Sequence, residues 1–452
     1  MNKLKAVILA AGEGKRMKSK LPKVLHKVQG KTMVDWVIDT ARSSGADDIC
    51  VVIGHGGEQV KETLKDRNVK FAVQREQLGT GHAVMQAGDF IEDNADIIVF
   101  YGDTPLITAE TIKKMLDYHR KEDNSITIIS AIVDNPAGYG HIIRDENGLF
   151  VKNVEHKDAT DEEKLVKEIN TGIYCFKGTA LKKGLSLLKN DNAQKEYYLP
   201  DTLEIILSDG GKVNAMVVDD ADEFAGVNSR VQLAEAEAVM RNRINRYHME
   251  NGVTIIDPSR TYIDADVVIG CDTVLLPGVV IEGKTVIGED CVVGPDSRLT
   301  DTKLGNGVKF QYSTAIESSV DDNTTVGPYA YIRPNCAIGK NVKIGDFVEV
   351  KNSNVGDGTK VSHLTYIGDS DVGERINFGC GTVTVNYDGN KKFRTVIGDD
   401  VFIGCNTNLV APVKVGKGAY IAAGSTITDE VPENCLAIAR ERQINKTGWV
   451  KK

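Results

Sequence analysis

Gly12-Glu13-Gly14-Lys15-Arg16 follows the apolar run Leu4 to Ala11 and gathers backbone N–H groups and two cations at one turn. A glycine loop after a first strand is where α/β folds cradle phosphate. The dinucleotide fingerprint is excluded because it needs glycine at Met17. A Walker loop is excluded because Arg16 stands where it needs Ser or Thr. By itself the loop serves a plain strand–turn connection equally well. Asp103 follows a second apolar run, Ile97 to Phe100. A carboxylate just past the C-terminal end of a parallel strand stands where such sheets bind ligands, although an aspartate there also forms turns. In the second half of the chain, Arg333, Lys351, Tyr366, Asn377 and His363 interrupt a run of aliphatic and small residues. Cations hold anions, and an imidazole exchanges protons near neutral pH. Singly, each of these residues is also what a solvated surface carries.

A six-residue repeat, from about Ile263 to Thr428, has to position that second group. Aliphatic residues head hexads at Ile269, Leu275, Ile281, Ile287 and Val293. The beat resumes from Val326 to Val350, restarts at Val355, Val361 and Ile367, then at Val372 and Phe378, and runs last from Ile397 to Ile427. Small or branched residues recur four places after most heads, on the same face of a strand. Six residues do not superpose on a 3.6-residue turn, so the period specifies a parallel β-helix and not an amphipathic helix. Glycine often follows the head, as at Gly339, Gly345, Gly404 and Gly416, and reads as the corner between strands. Arg333 and Lys351 fall one place after a head, and Tyr366 and Asn377 five. These odd offsets turn their side chains outward. His363 falls near a corner, two places after Val361.

The first half alternates strand and helix. Thr32-x-x-Asp35 caps a helix carrying Val34, Val37, Ile38 and Ala41, and Ile49 to Ile53, Val69 to Val73 and Ile97 to Tyr101 read as strands. Ser229 to Asn251 lacks Gly and Pro and reads as a connecting helix, or as a surface helix of the first domain. A chain of 452 residues holds two or three domains. A net charge of −9 argues against nonspecific nucleic-acid binding, and no apolar run reaches membrane-spanning length. Met1 to Lys5 is basic like the start of a signal peptide, but the apolar stretch ends in a glycine loop and not a cleavage site. Eight cysteines without a Cys-x-x-Cys pair suggest reduced thiols in a cytoplasmic protein. His26, His55, His119, His156 and His248 lack metal-ligand spacing and read as surface or partly buried residues.

Leu9-Ala10-Ala11-Gly12-Glu13-Gly14-Lys15-Arg16-Met17 and Leu21-Pro22-Lys23 resemble the signature of sugar-phosphate nucleotidyltransferases. Gln77-Leu78-Gly79-Thr80-Gly81-His82-Ala83, Gly138-Tyr139-Gly140, Val154-Glu155-His156-Lys157-Asp158, Asn170-Thr171-Gly172 and Gly226-Val227-Asn228 narrow the likeness. Together with the repeat, Val361-Ser362-His363-Leu364-Thr365-Tyr366-Ile367-Gly368-Asp369 and Asn386-Tyr387-Asp388-Gly389, they resemble the bacterial bifunctional N-acetylglucosamine-1-phosphate uridyltransferase and glucosamine-1-phosphate acetyltransferase family. Lys15 departs from the family's usual Thr or Ser, and Cys380 and Cys405 from its usual Ala or Ser.

The resemblance implies an α/β nucleotidyltransferase domain with a Rossmann-like mixed sheet at 1–228 and a linker helix at 229–251. A left-handed parallel β-helix with a C-terminal tail would occupy 252–452. It implies synthesis of UDP-N-acetylglucosamine, a precursor of peptidoglycan, with acetyl transfer first and uridylyl transfer second. Arg16 and Lys23 would act on phosphates, while Asp103 and Asn228 would hold Mg²⁺. Leu9, Ala10, Ala11, Gly12, Gln74, Gly79 and Thr80 would meet the uridine, and Gly140, Glu155 and Asn170 the sugar. Arg333, Lys351, Tyr366 and Asn377 would hold glucosamine 1-phosphate, with His363 as base. Acetyl-CoA would run along Cys380, Asn386, Tyr387, Cys405, Ala423 and Arg440, and the basic end, Arg440 to Lys452, could reach its phosphates or be a solvated tail. Such prisms commonly form homotrimers. A competing reading makes the array a non-catalytic oligomerisation module.

Overall fold

The computed structural model describes residues 2–192 and 194–450, so Lys451 and Lys452 of the basic end lie outside the described residues. The chain divides into two compact units, Met1–Met240 and Arg241–Lys452.

At the centre of the first unit, strand Lys3–Ala10 pairs in parallel with Ala95–Tyr101 on one side and Asp48–Ile53 on the other. Both of its faces are covered, which is why the strand reads as a continuous apolar run. The sheet continues through Lys70–Val73 at one edge; at the other, Glu168–Lys177 runs antiparallel to both of its neighbours, and Ile126–Ile132 and Val213–Val218 beyond it pair in parallel. Helices Met33–Ser43 and Ala109–Lys121 pack on one face. Thr80–Met85, Gly178–Leu187 and Asp201–Ser208 pack on the opposite one. Thr32 caps the first of these helices, its hydroxyl accepting from Asp35 N at 3.2 Å, and Val34, Val37, Ile38 and Ala41 form the buried stripe. The registers Leu9↔Tyr101 and Ala10↔Ile53 end three parallel strands together, so their C-terminal ends share one edge.

Three of the histidines expected at the surface or partly buried are buried: His26, His119 and His248. His119 lies in helix Ala109–Lys121, with Nδ1 2.9 Å from Thr127 Oγ1, and burial pushes its pKa down to about 4. Period analysis placed it no deeper because a histidine is amphipathic enough for either environment.

Helix Arg230–Glu250 is continuous across the division between the units. Ala236 and Met240 are buried, and Glu237 accepts hydrogen bonds from Gln29 N and Nε2 in the first unit. Further along, Asn245 donates to the carbonyls of Pro258 and Thr261 at 2.9 and 3.1 Å in the second.

The second unit is a parallel β-helix whose three faces are sheets of eleven, ten and nine short strands. Residues about one coil apart in sequence stack directly, as in the column Ile281, Leu299, Ala315, Ile332, Val350 and Ile367. Strands Thr254–Ile255 and Leu436–Ala437 extend the array beyond both ends expected from the period. The beat also never stops between Val293 and Val326. Leu299, Leu304, Phe310, Ala315 and Val320 carry the core through on steps of five or six residues, and a strict period of six hides them.

The glycines after the heads are not the left-handed corners. Those corners fall three places after the head, at Asp290, Asn323, Asn341 and Asn406, with φ between 54° and 57°. Gly404 is required by stacking instead, because a Cβ there would lie 2.7 Å from Cα of Ala423 in the next coil. The one long excursion runs from 386 to 394, between strands Val383–Val385 and Thr395–Ile397, and is closed by an antiparallel bridge between Tyr387 and Lys392.

Candidate functional sites

The shared C-terminal edge of the first sheet opens into a cavity of about 290 Å³. Leu9, Ala10, Ala11 and Gly12 line one wall, Gln74, Gly79 and Thr80 another, and Lys23 and Asp103 also face it. The second glycine loop is held against residues 196–198. Gly79 has φ 102°, and a Cβ on it would meet Tyr197 O at 2.6 Å. Gln77 Nε2 donates to Ala11 O at 2.7 Å, and Gln74 Nε2 to Gly79 O at 3.1 Å, which ties the two loops to each other and to strand Lys70–Val73. Gln77, Tyr101, Glu196 and Tyr198 also line the cavity. Sequence reasoning gave them no role, and Glu196 and Tyr198 come from a loop without a motif.

Lys23 Nζ donates to Asp103 Oδ2 and, at 2.9 Å, to Asn228 Oδ1. The Lys23 and Asp103 side chains are each only 14% exposed. A carboxylate and an amide oxygen therefore converge on one cationic centre. That donor set suits Mg²⁺, which favours oxygen and completes its shell with waters and substrate phosphates. Among the described residues no group of three or more His, Cys, Asp or Glu could hold a metal, so a metal here would need substrate ligands. Arg16 is exposed on the short turn Lys15–Met17 and is not part of the cavity lining.

Gly140, Glu155 and Asn170 come together beside the cavity. Gly140 pairs with Glu155 in the hairpin Gly140–Arg144/Phe150–Glu155, and a Cβ on Gly140 would meet Asn153 Oδ1 at 2.7 Å. Asn170 donates to that same Oδ1 at 3.2 Å and to Tyr174 Oη at 2.8 Å. The strand carrying it pairs Asn170 with Ser130 and then slips register before Tyr174. Asn153 is a further polar group of this cluster.

In the β-helix, Arg333, Lys351 and Tyr366 lie half-buried on the outside of successive coils of one face, as parity required. Arg333 pairs with Glu349 at 2.9 Å, and Lys351 Nζ lies 3.8 Å from Asp369 Oδ2. Asn386, at the root of the excursion, donates to Asp369 Oδ2 and approaches Tyr366 Oη at 3.4 Å. Burial pushes the Asp369 carboxyl up. The hydrogen bonds from Asn352 and Asn386, with Lys351 and Lys392 nearby, outweigh it and hold the group below its ordinary range. The excursion returns Lys392 beside Lys351, and the neighbouring ammonium pushes Lys392 down. Two cations pressed together form a ready anion site. Sequence reasoning missed Lys392, and it quoted Asp369 in a motif without giving it a role.

His363 and Asn377 belong to the adjacent face, in successive coils. His363 is 59% exposed, and its Nδ1 lies 2.7 Å from Asp346 Oδ1. The registers Asp346↔His363, Val361↔Phe378, Phe378↔Ile403 and Ile403↔Ile421 place Asp346, His363, Cys380, Cys405 and Ala423 in one corner column. Cys405, Ala423, Tyr387 and Arg440 are exposed, Cys380 is half-buried and Asn386 is buried. A Cβ on Gly424 would lie 3.6 Å from Arg440 Cδ, so that arginine stands at the column's far end.

An α/β fold with a glycine loop at its sheet edge, joined to a parallel β-helix with an outward polar cluster, is the architecture of a two-domain transferase. Residues 5–224 match the nucleotidyl transferase family. Residues 266–301 and 394–429 match the bacterial transferase hexapeptide (six repeats), and residues 316–409 the GMPPB C-terminal domain. Over 451 residues the chain is 59% identical to the bifunctional protein GlmU of Caldanaerobacter subterraneus subsp. tengcongensis, covering 100% of this chain and 98% of the relative. It is 56% identical over 453 residues to that of Acetivibrio thermocellus, with coverage of 100% and 98%. With that of Clostridium novyi the identity is 59% over 448 residues, and coverage is 99% and 98%. The chain belongs to the GlmU family of bifunctional transferases, and its β-helix is the left-handed hexapeptide type.

Proposed function

We propose that the two activities of this enzyme are divided between its two units. The enzyme transfers acetyl from acetyl-CoA to glucosamine 1-phosphate, and then uridylyl from UTP to N-acetylglucosamine 1-phosphate, releasing pyrophosphate. Mg²⁺ serves uridylyl transfer. The observation that carries the division is that every uridylyl candidate lies between Leu9 and Asn228, and every acetyl candidate between Arg333 and Arg440.

In the first reaction the sugar's amine attacks the thioester carbonyl. His363 accepts the proton released as the C–N bond forms, and the coenzyme leaves as its thiol. Arg333 and Lys351, with Lys392, hold the sugar phosphate, while Tyr366, Asn377 and Asn386 orient the amino sugar. The donor follows the corner column through Cys380, Cys405 and Ala423 to Arg440, with Tyr387 beside it. In the second reaction the attacking phosphate oxygen is already ionised near neutral pH, so no protein base is needed. Arg16 and Lys23 offset charge on the phosphates while Leu9 to Gly12, Gln74, Gly79 and Thr80 fix the nucleoside. Gly140, Glu155 and Asn170 hold the N-acetylated sugar. Asp103 and Asn228 hold Mg²⁺, which when bound neutralises phosphate charge. We further propose a homotrimer, built through the β-helix, and a cytoplasmic location. No helix among the described residues is long and apolar enough to cross a membrane.

Two variants test the division. His363→Ala should lower acetyl-transfer turnover by roughly 10² to 10⁴ and leave uridylyl transfer intact. Asp103→Ala should do the converse, with Asn228→Ala acting in the same direction less severely because a neutral ligand holds a dication less firmly. Equal loss of both activities in either variant would sink the division of labour.

A further inference from the structure

Asp346 and His363 sit directly opposite each other in stacked coils, with Oδ1 and Nδ1 2.7 Å apart. We propose that Asp346 is a positioning residue for acetyl transfer. It holds the His363 imidazole in the tautomer whose Nε2 is free to take the proton of the attacking amine. The inference rests on the reading of His363 as the base.

The tautomer follows from the partners. A carboxylate only accepts, so the hydrogen between them belongs to Nδ1, and Nε2 keeps its lone pair. Once Nε2 takes a proton, the resulting imidazolium lies against a negative charge. This is the arrangement by which a carboxylate orients and stabilises the histidine of a catalytic triad, without itself becoming protonated. The hydrogen bond from His363 is the chief cause holding the Asp346 carboxyl below its ordinary range, so the group is ionised throughout the neutral region.

The surroundings leave Asp346 without a rival. Lys343, on the same strand as Asp346, adds a smaller favourable charge to that carboxylate. The following coil brings Asn377 and Cys380 toward the histidine, and Lys360 shares its strand. No second carboxylate comes from either stacked strand. Both partners are partly exposed, at 59% and 38%, so solvent screens the pair and the effect falls short of that in a buried triad.

Asp346→Asn keeps the shape and removes the charge. Because an amide can also donate to Nδ1, it admits the wrong tautomer as well. Acetyl-transfer kcat should fall about tenfold, with KM for glucosamine 1-phosphate and acetyl-CoA steady and uridylyl transfer unchanged. Asp346→Glu should recover part of the loss. In a His363→Ala background, Asp346→Asn should cost nothing further, because its effect runs through the ring. If His363→Ala is impaired while Asp346→Asn keeps normal kcat, the positioning role fails alone. Near-normal acetyl transfer by His363→Ala removes the base reading and this proposal with it. Independent losses in the double variant, or a rise confined to KM, would also overturn it.

Discussion

The ring of Tyr366 lies across the backbone of Gly368, and a Cβ on that glycine would fall 2.5 Å from Tyr366 Cζ. The glycine is needed here for space, since its φ is not in the left-handed region. Gly368→Ala should therefore swing the phenol away from Asn386, raise KM for glucosamine 1-phosphate about tenfold and leave KM for acetyl-CoA nearly unchanged. Steady-state kinetics with each substrate varied would decide it, and equal changes in both constants would point to general damage. Outward-facing residues such as Arg333, Lys351 and Tyr366 were legible from strand parity alone. Their acidic and cationic counterparts were not. Asp346 lies 17 residues from His363, and Asn352 and Asn386 each lie 17 from Asp369. That separation is one coil, so pairing by coil length would have found these contacts where pairing by hexad did not.

Among elements, helix Ala109–Lys121 carries a titration into the first unit through His119. Its pKa is about 4 in the folded protein because burial disfavours the imidazolium, against about 6.5 in an unfolded chain. As pH falls from 7 toward 4 the unfolded state gains a proton that the folded state refuses, so stability declines across that window by a few kcal/mol. Above about pH 7 both states are neutral there and no cost arises. Urea midpoints should drop more steeply between pH 7 and 5 in the natural protein than in His119→Asn. Trp36 can report them, because Trp36 Nε1 donates to Val28 O at 2.8 Å in this unit, whereas Trp449 is 78% exposed. Parallel slopes would show that His119 is not the sensor. The capped helix Met33–Ser43 and the long helix Arg230–Glu250 were plain in the sequence, since caps and absent breakers are local signals. The excursion 386–394 had no such signal, because only its return to the prism gives Lys392 a partner.

At the scale of the whole molecule, helix Arg230–Glu250 decides where the chain can be cut. Ala236, Glu237 and Met240 belong to the packing of the first unit, so residues 1–240 should fold where 1–228 would lose those contacts. The 1–240 piece should make UDP-N-acetylglucosamine and remain a monomer, while 241–452 should acetylate glucosamine 1-phosphate as a trimer. Sedimentation with paired assays would test this, and a trimeric 1–240 piece would overturn the assembly assignment. The corner column adds something that contact chemistry alone does not supply. It advances one residue per coil, so it is graduated. From His363 through Cys380, Cys405 and Ala423 to the coil of Arg440 there are four rungs of about 4.8 Å, roughly 19 Å in all. Under the proposed assignment, a donor whose thioester reaches His363 would meet Arg440 only if its arm spans those rungs. Removing one complete coil between Cys405 and Arg440 would leave the three-faced prism in place and still shorten the gauge. On the proposed course of the donor, the β-helix would serve as a ruler for its acyl carrier, calibrated by the number of coils.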